Sequence, residues 1–244
     1  MNIEIKKDEK VEDLQFNNLK IIQNKKGFCF GIDSILLVDF SKGIKNNSNV
    51  LDLGTGTGII PILLSGKTNA KSFTGIEVQE EVADMALRSV KLNKLENKIT
   101  IVNRDILDLE YDNNTFDVIV TNPPYKEKGT GLKNEDKRKI ISRHETTAKL
   151  EDFIMITKKL LKDKGEFYMV NRPERLVDIL NCMRKYKIEP KNIRFVYANH
   201  NSEPKLVLIK GIKNARPFLK IDKNLYIYDK DGNYTDEIKG IYNM

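Results

Sequence analysis

Asn49-Val50-Leu51-Asp52-Leu53-Gly54-Thr55-Gly56-Thr57-Gly58-Ile59-Ile60-Pro61-Ile62-Leu63-Leu64 reads as a short strand, a glycine loop and an apolar helix. The glycines let the chain turn tightly and let backbone approach a ligand closely just before the helix begins. Their spacing is G-x-G-x-G with an aspartate two residues ahead, not the G-x-G-x-x-G that cradles a dinucleotide pyrophosphate, which points away from NAD. Downstream, Lys71 to Val78 reads as a second strand closing on Glu77, 25 residues after Asp52. A carboxylate there suits the paired hydroxyls of a ribose, although a single acid at a strand end is also an ordinary solvated group. Residues 79–93 form an amphipathic helix pattern with Val82, Met85, Ala86, Ser89 and Val90 on one face, and Ile99 to Ile106 reads as a third strand carrying Asp105. The β-α-β-α-β alternation predicts an α/β fold around a parallel sheet.

A fourth strand, Asp117-Val118-Ile119-Val120-Thr121, runs into Asn122-Pro123-Pro124-Tyr125. Open α/β sheets bind ligands at the carboxyl ends of their strands. Two consecutive prolines supply no N–H and fix φ, so they end the strand and stiffen the loop that carries Asn122 and Tyr125. A planar amine fits such a loop, with the Asn122 amide oxygen and the Pro123 carbonyl accepting its two hydrogens and Tyr125 stacking on the ring behind it. By itself the tetrapeptide also reads as a plain strand exit. Polar groups at four successive strand ends, Asp52, Glu77, Asp105 and Asn122, favour a site.

Length and composition limit the rest. The 244 residues suffice for one α/β domain with a full core and a small appendage. With 40% hydrophobic and 32% charged residues the chain has a globular composition, and no apolar run approaches a membrane span. The N-terminus carries no export signal pattern, and Cys29 and Cys182 suggest neither a disulfide framework nor a zinc site, so a reducing cytoplasm is the expected location. A formal charge of +7 permits a polyanionic partner.

In this order, D-x-G-x-G-x-G, an acid after the second strand, Asp-Ile after the third and N-P-P-Y after the fourth resemble the signature of class I S-adenosylmethionine-dependent methyltransferases that act on planar amino nitrogens. The resemblance implies that Asp52, Gly54 and Gly56, in one loop with Thr55 and Gly58, hold the methionine end of the cofactor. It places Glu77 at the ribose and Val78, Asp105 and Ile106 at the adenine. Asn122, Pro123, Pro124 and Tyr125 then form the catalytic loop, with Asn122 also beside the cofactor. From the Phe28-x-Phe30-x-x-Asp33-Ser34 lead-in to Leu225-Tyr226-Ile227-Tyr228, the chain is similar to the bacterial tRNA valine adenine-N6 methyltransferase-like family. That likeness implies a Rossmann-like seven-stranded, mostly parallel sheet with helices on both faces and an antiparallel last strand. It also implies S-adenosylmethionine as cofactor, tRNA as partner, no metal, no membrane and a monomer ahead of an oligomer.

Further readings follow from the flanks. Residues 126–149 hold eight cations against four acids, and Lys126, Lys128, Lys137, Arg138 and Arg143 are the expected substrate-binding cations, the alternative being a solvated loop and helix face. His144 is read as structural, because an amine can attack a sulfonium without prior deprotonation. Residues 1–40 are expected to be a lead-in and lid, with Asp33 or Ser34 capping a helix, or else a plain strand-turn-helix at the sheet edge. Residues 41–212 are the expected catalytic domain and 213–244 a small β extension with a hairpin. Two rivals share the cofactor core: a protein glutamine methyltransferase, which carries a sizeable helical domain ahead of it, and a cofactor-binding RNA protein without turnover. Only about thirty residues precede Asp33, which disfavours the first.

Overall fold

The computed structural model describes residues 3–25, 31–125 and 148–243. The lead-in Phe28 and Phe30, together with Lys126, Lys128, Lys137, Arg138, Arg143 and His144, lie outside the described residues.

The glycine-loop strand β3 (Asn49–Leu53) sits at the centre of the main sheet, parallel to β4 (Ser72–Glu77) on one side and β6 (Phe116–Thr121) on the other. β5 (Ile99–Asn103) extends the β4 side. On the β6 side follow β7 (Leu161–Asn171), β9 (Pro204–Lys213) and β8 (Ile188–Tyr197). β9 runs antiparallel to both its neighbours, so these seven strands are parallel but for the last in sequence. This agrees with the expected class I order, and two short strands, β10 (Lys220–Ile221) and β11 (Leu225–Tyr226), add to the β8 edge.

Period-two alternation divides the core between the two sheet faces. Val50, Val118, Val120, Tyr168, Val170, Leu206 and Leu208 pack with helices α1 (Ile32–Ser41), α2 (Ile59–Lys67) and α3 (Glu80–Leu92). The intervening Leu51, Leu53, Ile119, Phe167, Met169, Val207 and Ile209 pack with α4 (Leu150–Leu160) and α5 (Leu176–Lys185). Strands covered on both faces read as continuous apolar runs, which is why they were legible. β8 and β9 pair along nearly their whole length, and Pro190 of β8 is tolerated at a register shift of that ladder.

Two regions depart from the sequence reading. The polar N-terminus forms a hairpin, β1 (Glu9–Asp13) with β2 (Lys20–Asn24). Its outer edge is satisfied by α3: the Ile22 N–H donates to Ser89 Oγ at 2.9 Å and the Lys20 N–H to Asn93 Oδ1 at 2.8 Å. Arg88 on α3 donates to both oxygens of Glu9 at 2.6 Å, and these hydrogen bonds hold that carboxyl below the usual range against its burial. The C-terminal stretch contributes one antiparallel bridge, Tyr228 to Tyr234, and a helix α6 (Asp236–Tyr242) capped by the Thr235 hydroxyl. Leu225, Ile227, Ile238 and Ile241 of this tail are buried in the same cluster as α1.

Candidate active site

The glycine loop leaves the carboxyl end of β3 with Gly54, Gly56 and Gly58 at φ of +74°, +57° and +87°, values that side-chain-bearing residues rarely adopt. The Gly54 and Thr55 N–H groups donate to the Ile76 carbonyl at 3.0 and 2.8 Å, which clamps the loop to β4. Gly75 makes this possible, since a Cβ there would stand 2.8 Å from Thr55 Oγ1. Among the described residues a Cβ on Gly56 would meet nothing within 4 Å, so the loop is open to them at that point.

Asp52 beneath the loop is 1% exposed, and among the described residues neither of its carboxylate oxygens nor Thr55 Oγ1 has a hydrogen-bond partner of good geometry. Burial pushes the Asp52 carboxyl up to about 7, with the Thr55 hydroxyl opposing and the charge of Glu77 adding to the rise. Glu77 is buried too, and burial raises it. Unlike Asp52 it is held, with Oε2 accepting from the Gly56 N–H and Oε1 from the Gln79 N–H, each at 3.0 Å. Buried acceptors left unmade cost on the order of 1–3 kcal/mol each, so Asp52 and Thr55 suit a ligand donor, above all a cationic amine.

One strand over, Thr121 Oγ1 donates to the Leu53 carbonyl at 2.8 Å and ties the end of β6 to the end of β3. Asn122 follows directly. Its amide nitrogen donates to Ser34 Oγ at 3.1 Å, and its amide oxygen lies 2.9 Å from the Tyr125 hydroxyl. That hydroxyl is also 2.5 Å from Asp33 Oδ2. One hydrogen is shared between two acceptors, and the Asn122 oxygen has two lone pairs, so it keeps capacity for a further donor. The Tyr125 ring is only 9% exposed, and the Arg172 guanidinium lies over it, 5.1 Å from the centroid.

The family model described as "Methyltransferase small domain" matches residues 30–187, well over half the chain. The chain belongs to that methyltransferase family. Among similar proteins is the tRNA1(Val) (adenine(37)-N6)-methyltransferase of Porphyromonas gingivalis, 28% identical over 200 residues, which cover 79% of this chain and 78% of that one. The Haemophilus influenzae protein of the same name is 27% identical over 223 residues, covering 91% and 92%. Among solved structures, a predicted O-methyltransferase from Agrobacterium tumefaciens superposes with a TM-score of 0.69 at 19% identity, covering 86% of this chain and 95% of that one. A geranyl diphosphate C-methyltransferase from Streptomyces coelicolor gives 0.54 at 11% identity, covering 73% and 78%; at these identities the likeness is one of fold.

Within this methyltransferase the sequence-derived residues fall at the ends of adjacent strands. Asp52 is the penultimate residue of β3 and Gly54 to Gly58 follow that strand, Glu77 closes β4 with Val78 next, and Asn122 to Tyr125 follow β6. Asp105 caps the short 3-10 turn Ile106–Asp108 through its carboxylate, which accepts from the Leu107 N–H at 3.0 Å; Ile106 is buried. Sequence reasoning missed Asn103, whose amide donates to the Glu77 and Val78 carbonyls at 2.8 and 3.0 Å and so shapes the turn beyond Glu77. It also misplaced Asp33 and Ser34. Gly31 stands at the N-cap of α1 with no side-chain cap bond, and both side chains turn instead to the Asn122 loop, 88 or more residues away. No local pattern carries that signal. Among the described residues no cluster of three or more potential ligands could hold a metal, and no helix is long and apolar enough to cross a membrane.

Proposed function

We propose that this methyltransferase transfers the methyl group of S-adenosylmethionine to the exocyclic N6 amine of an adenine in tRNA, acting in the cytoplasm. The observation that carries this reading is the junction of an unsatisfied cofactor-side pocket with an amine-acceptor loop, on adjacent strands joined by the Thr121–Leu53 hydrogen bond. The names of the similar bacterial proteins support the choice of substrate.

The residues present fit the cofactor. Asp52 and Thr55 offer buried unpartnered acceptors for its ammonium, the open face at Gly56 admits its chain, and Glu77, Val78, Asp105 and Ile106 line the nucleoside side. When bound, S-adenosylmethionine supplies an electrophilic methyl on a sulfonium. The protein supplies orientation. Adenine N6 is a poor nucleophile because its lone pair is delocalised into the ring. The Asn122 amide oxygen and the Pro123 carbonyl accept its hydrogens, favour a pyramidal nitrogen and stabilise the positive charge it gains. Asp33 and Ser34 hold Asn122 and Tyr125 in place from α1. A base that stacks on Tyr125 on the side of Arg172 replaces an exposed cation–π contact worth about 0.5–1 kcal/mol with stacking worth about 1–3 kcal/mol.

Nucleoside mass spectrometry tests the reading. Purified protein with S-adenosylmethionine and unmodified tRNA transcripts should yield N6-methyladenosine. Methylation of a protein glutamine amide, with none in tRNA, would overturn it.

A further inference from the structure

The catalytic loop opens onto a row of side chains along one end of the sheet. The carboxyl ends of β6, β7 and β8 and the start of antiparallel β9 all lie on that side, with Tyr197 of β8 paired to Pro204 of β9 and to Tyr226 of β11. Next to Tyr125 comes Arg172, exposed, its guanidinium donating to the Lys205 carbonyl at 3.1 Å and pairing with no carboxylate among the described residues. Lys205 is exposed and makes no ion pair among those residues. Beyond it stands an aromatic column: Tyr197 and Tyr226 have centroids 5.3 Å apart, and His200 stacks on Tyr226 at 3.8 Å with an interplanar angle of 25°. His200 is exposed, so the column ends in an imidazole facing solvent. The turn that carries it is fixed, with the Asn201 N–H donating to Asn199 Oδ1 at 3.0 Å and the Asn199 N–H to Ser202 Oγ at 3.2 Å.

Packing alone does not require a polar aromatic ring on a fixed turn with one face in water. Unpaired cations that lead to an exposed stacking surface are the combination that holds single-stranded nucleic acid, with cations on the phosphates and rings under the bases. Four strand spacings separate β6 from β11, about 19 Å, so one strand can reach both the catalytic loop and the column. The acids Glu174 and Glu203, close in sequence to the two cations, are exposed and bring the formal charge of the row to zero, which assigns more of the binding to stacking than to charge.

We propose that the Arg172–Lys205–His200/Tyr226 row is a second RNA-binding surface, which holds an unpaired nucleotide of the substrate strand by stacking on His200 while Arg172 and Lys205 contact the intervening phosphates. The proposal rests on the tRNA reading.

Fluorescence anisotropy with an anticodon stem-loop RNA, at several salt concentrations, tests it on the full chain. His200→Ala should weaken RNA binding about tenfold with little change in salt slope. Lys205→Ala should weaken it severalfold and lower the slope by about one ion. Cofactor affinity should stay within twofold for both, and photocrosslinking of the wild-type complex should label the peptide holding His200. Wild-type affinity in both variants, with methylation of tRNA intact, would overturn the row and leave the function standing. Failure of the wild-type protein to bind RNA at all would overturn both. Recovery of stacking in His200→Phe, but not in His200→Leu, would separate a base platform from simple packing.

Discussion

The two halves of the site, one strand apart, are finished to different degrees. Under the glycine loop Asp52 and Thr55 are buried with acceptors unmade, whereas around Asn122 the polar side chains Asn122, Tyr125, Asp33 and Ser34 have found one another. The first half is electrostatically incomplete without a ligand and so gains most from a cation. The second is preorganised, so its residues reach the target amine already oriented and lose little freedom in doing so.

The largest effects should come from breaking that contrast at its centre. Asn122→Ala removes an acceptor that strengthens as the amine gains charge. Single-turnover transfer should fall on the order of a hundredfold, roughly 3 kcal/mol, with cofactor affinity nearly unchanged. An unaltered rate would remove Asn122 from catalysis. Asp52→Asn should do the reverse, weakening cofactor binding by roughly tenfold to a hundredfold while leaving the transfer rate at saturating cofactor much closer to wild type.

The pH dependence sharpens the same comparison. The Asp52 carboxyl is raised from an ordinary 3.8 to about 7 in the free protein, so the folded state binds a proton that the unfolded state has lost. Its contribution to stability is full below the unfolded value and disappears as pH rises through about 7, up to about 4 kcal/mol in all. Thermal unfolding should show Asp52→Asn gaining most on wild type at about pH 8 and least at about pH 5. A cationic ligand favours the ionised form, so cofactor affinity should rise from about pH 6 to about pH 8, with proton release seen by calorimetry in buffers of different ionisation heat. A flat profile would mean that no cation sits at Asp52.

On the finished half, Asp33→Asn should lower turnover about tenfold and leave the fold intact. If Asp33 acts through the tyrosine hydroxyl, the loss should vanish in a Tyr125→Phe background, whereas additive losses would disconnect the two. The smallest effect on turnover concerns an anchor remote from the chemistry. Arg88→Ala strands the buried Glu9 and should cost about 3 kcal/mol of stability by denaturant titration, with transfer by the folded fraction unchanged.

Legibility followed the range of the interactions. β3 and its glycine loop announced themselves because a doubly covered strand is apolar on both faces, as at Val50, Leu51 and Leu53, and a left-handed turn favours glycine, both local requirements. The N-terminal hairpin was hidden because much of its stability comes from Arg88, Ser89 and Asn93 on a helix far along the chain. The last helix carries a readable start, Thr235-Asp236-Glu237, within a stretch whose overall pattern reads as a hairpin.

Read without its fold, the chain already specifies an α/β sheet with Asp52, Glu77, Asp105 and Asn122 at successive strand ends, because each depends on spacing within a few residues of its own strand. Which of these groups is left unsatisfied, and which is held from α1, depends on burial and on partners as far as 92 residues distant, as with Asp33 and Tyr125. Desolvation and long-range hydrogen bonds come into being only when the sheet closes. The same holds for the row from Arg172 to His200: its members come from the end of β7, the β8–β9 turn, the start of β9 and β11, and strand order brings them to one end of the sheet.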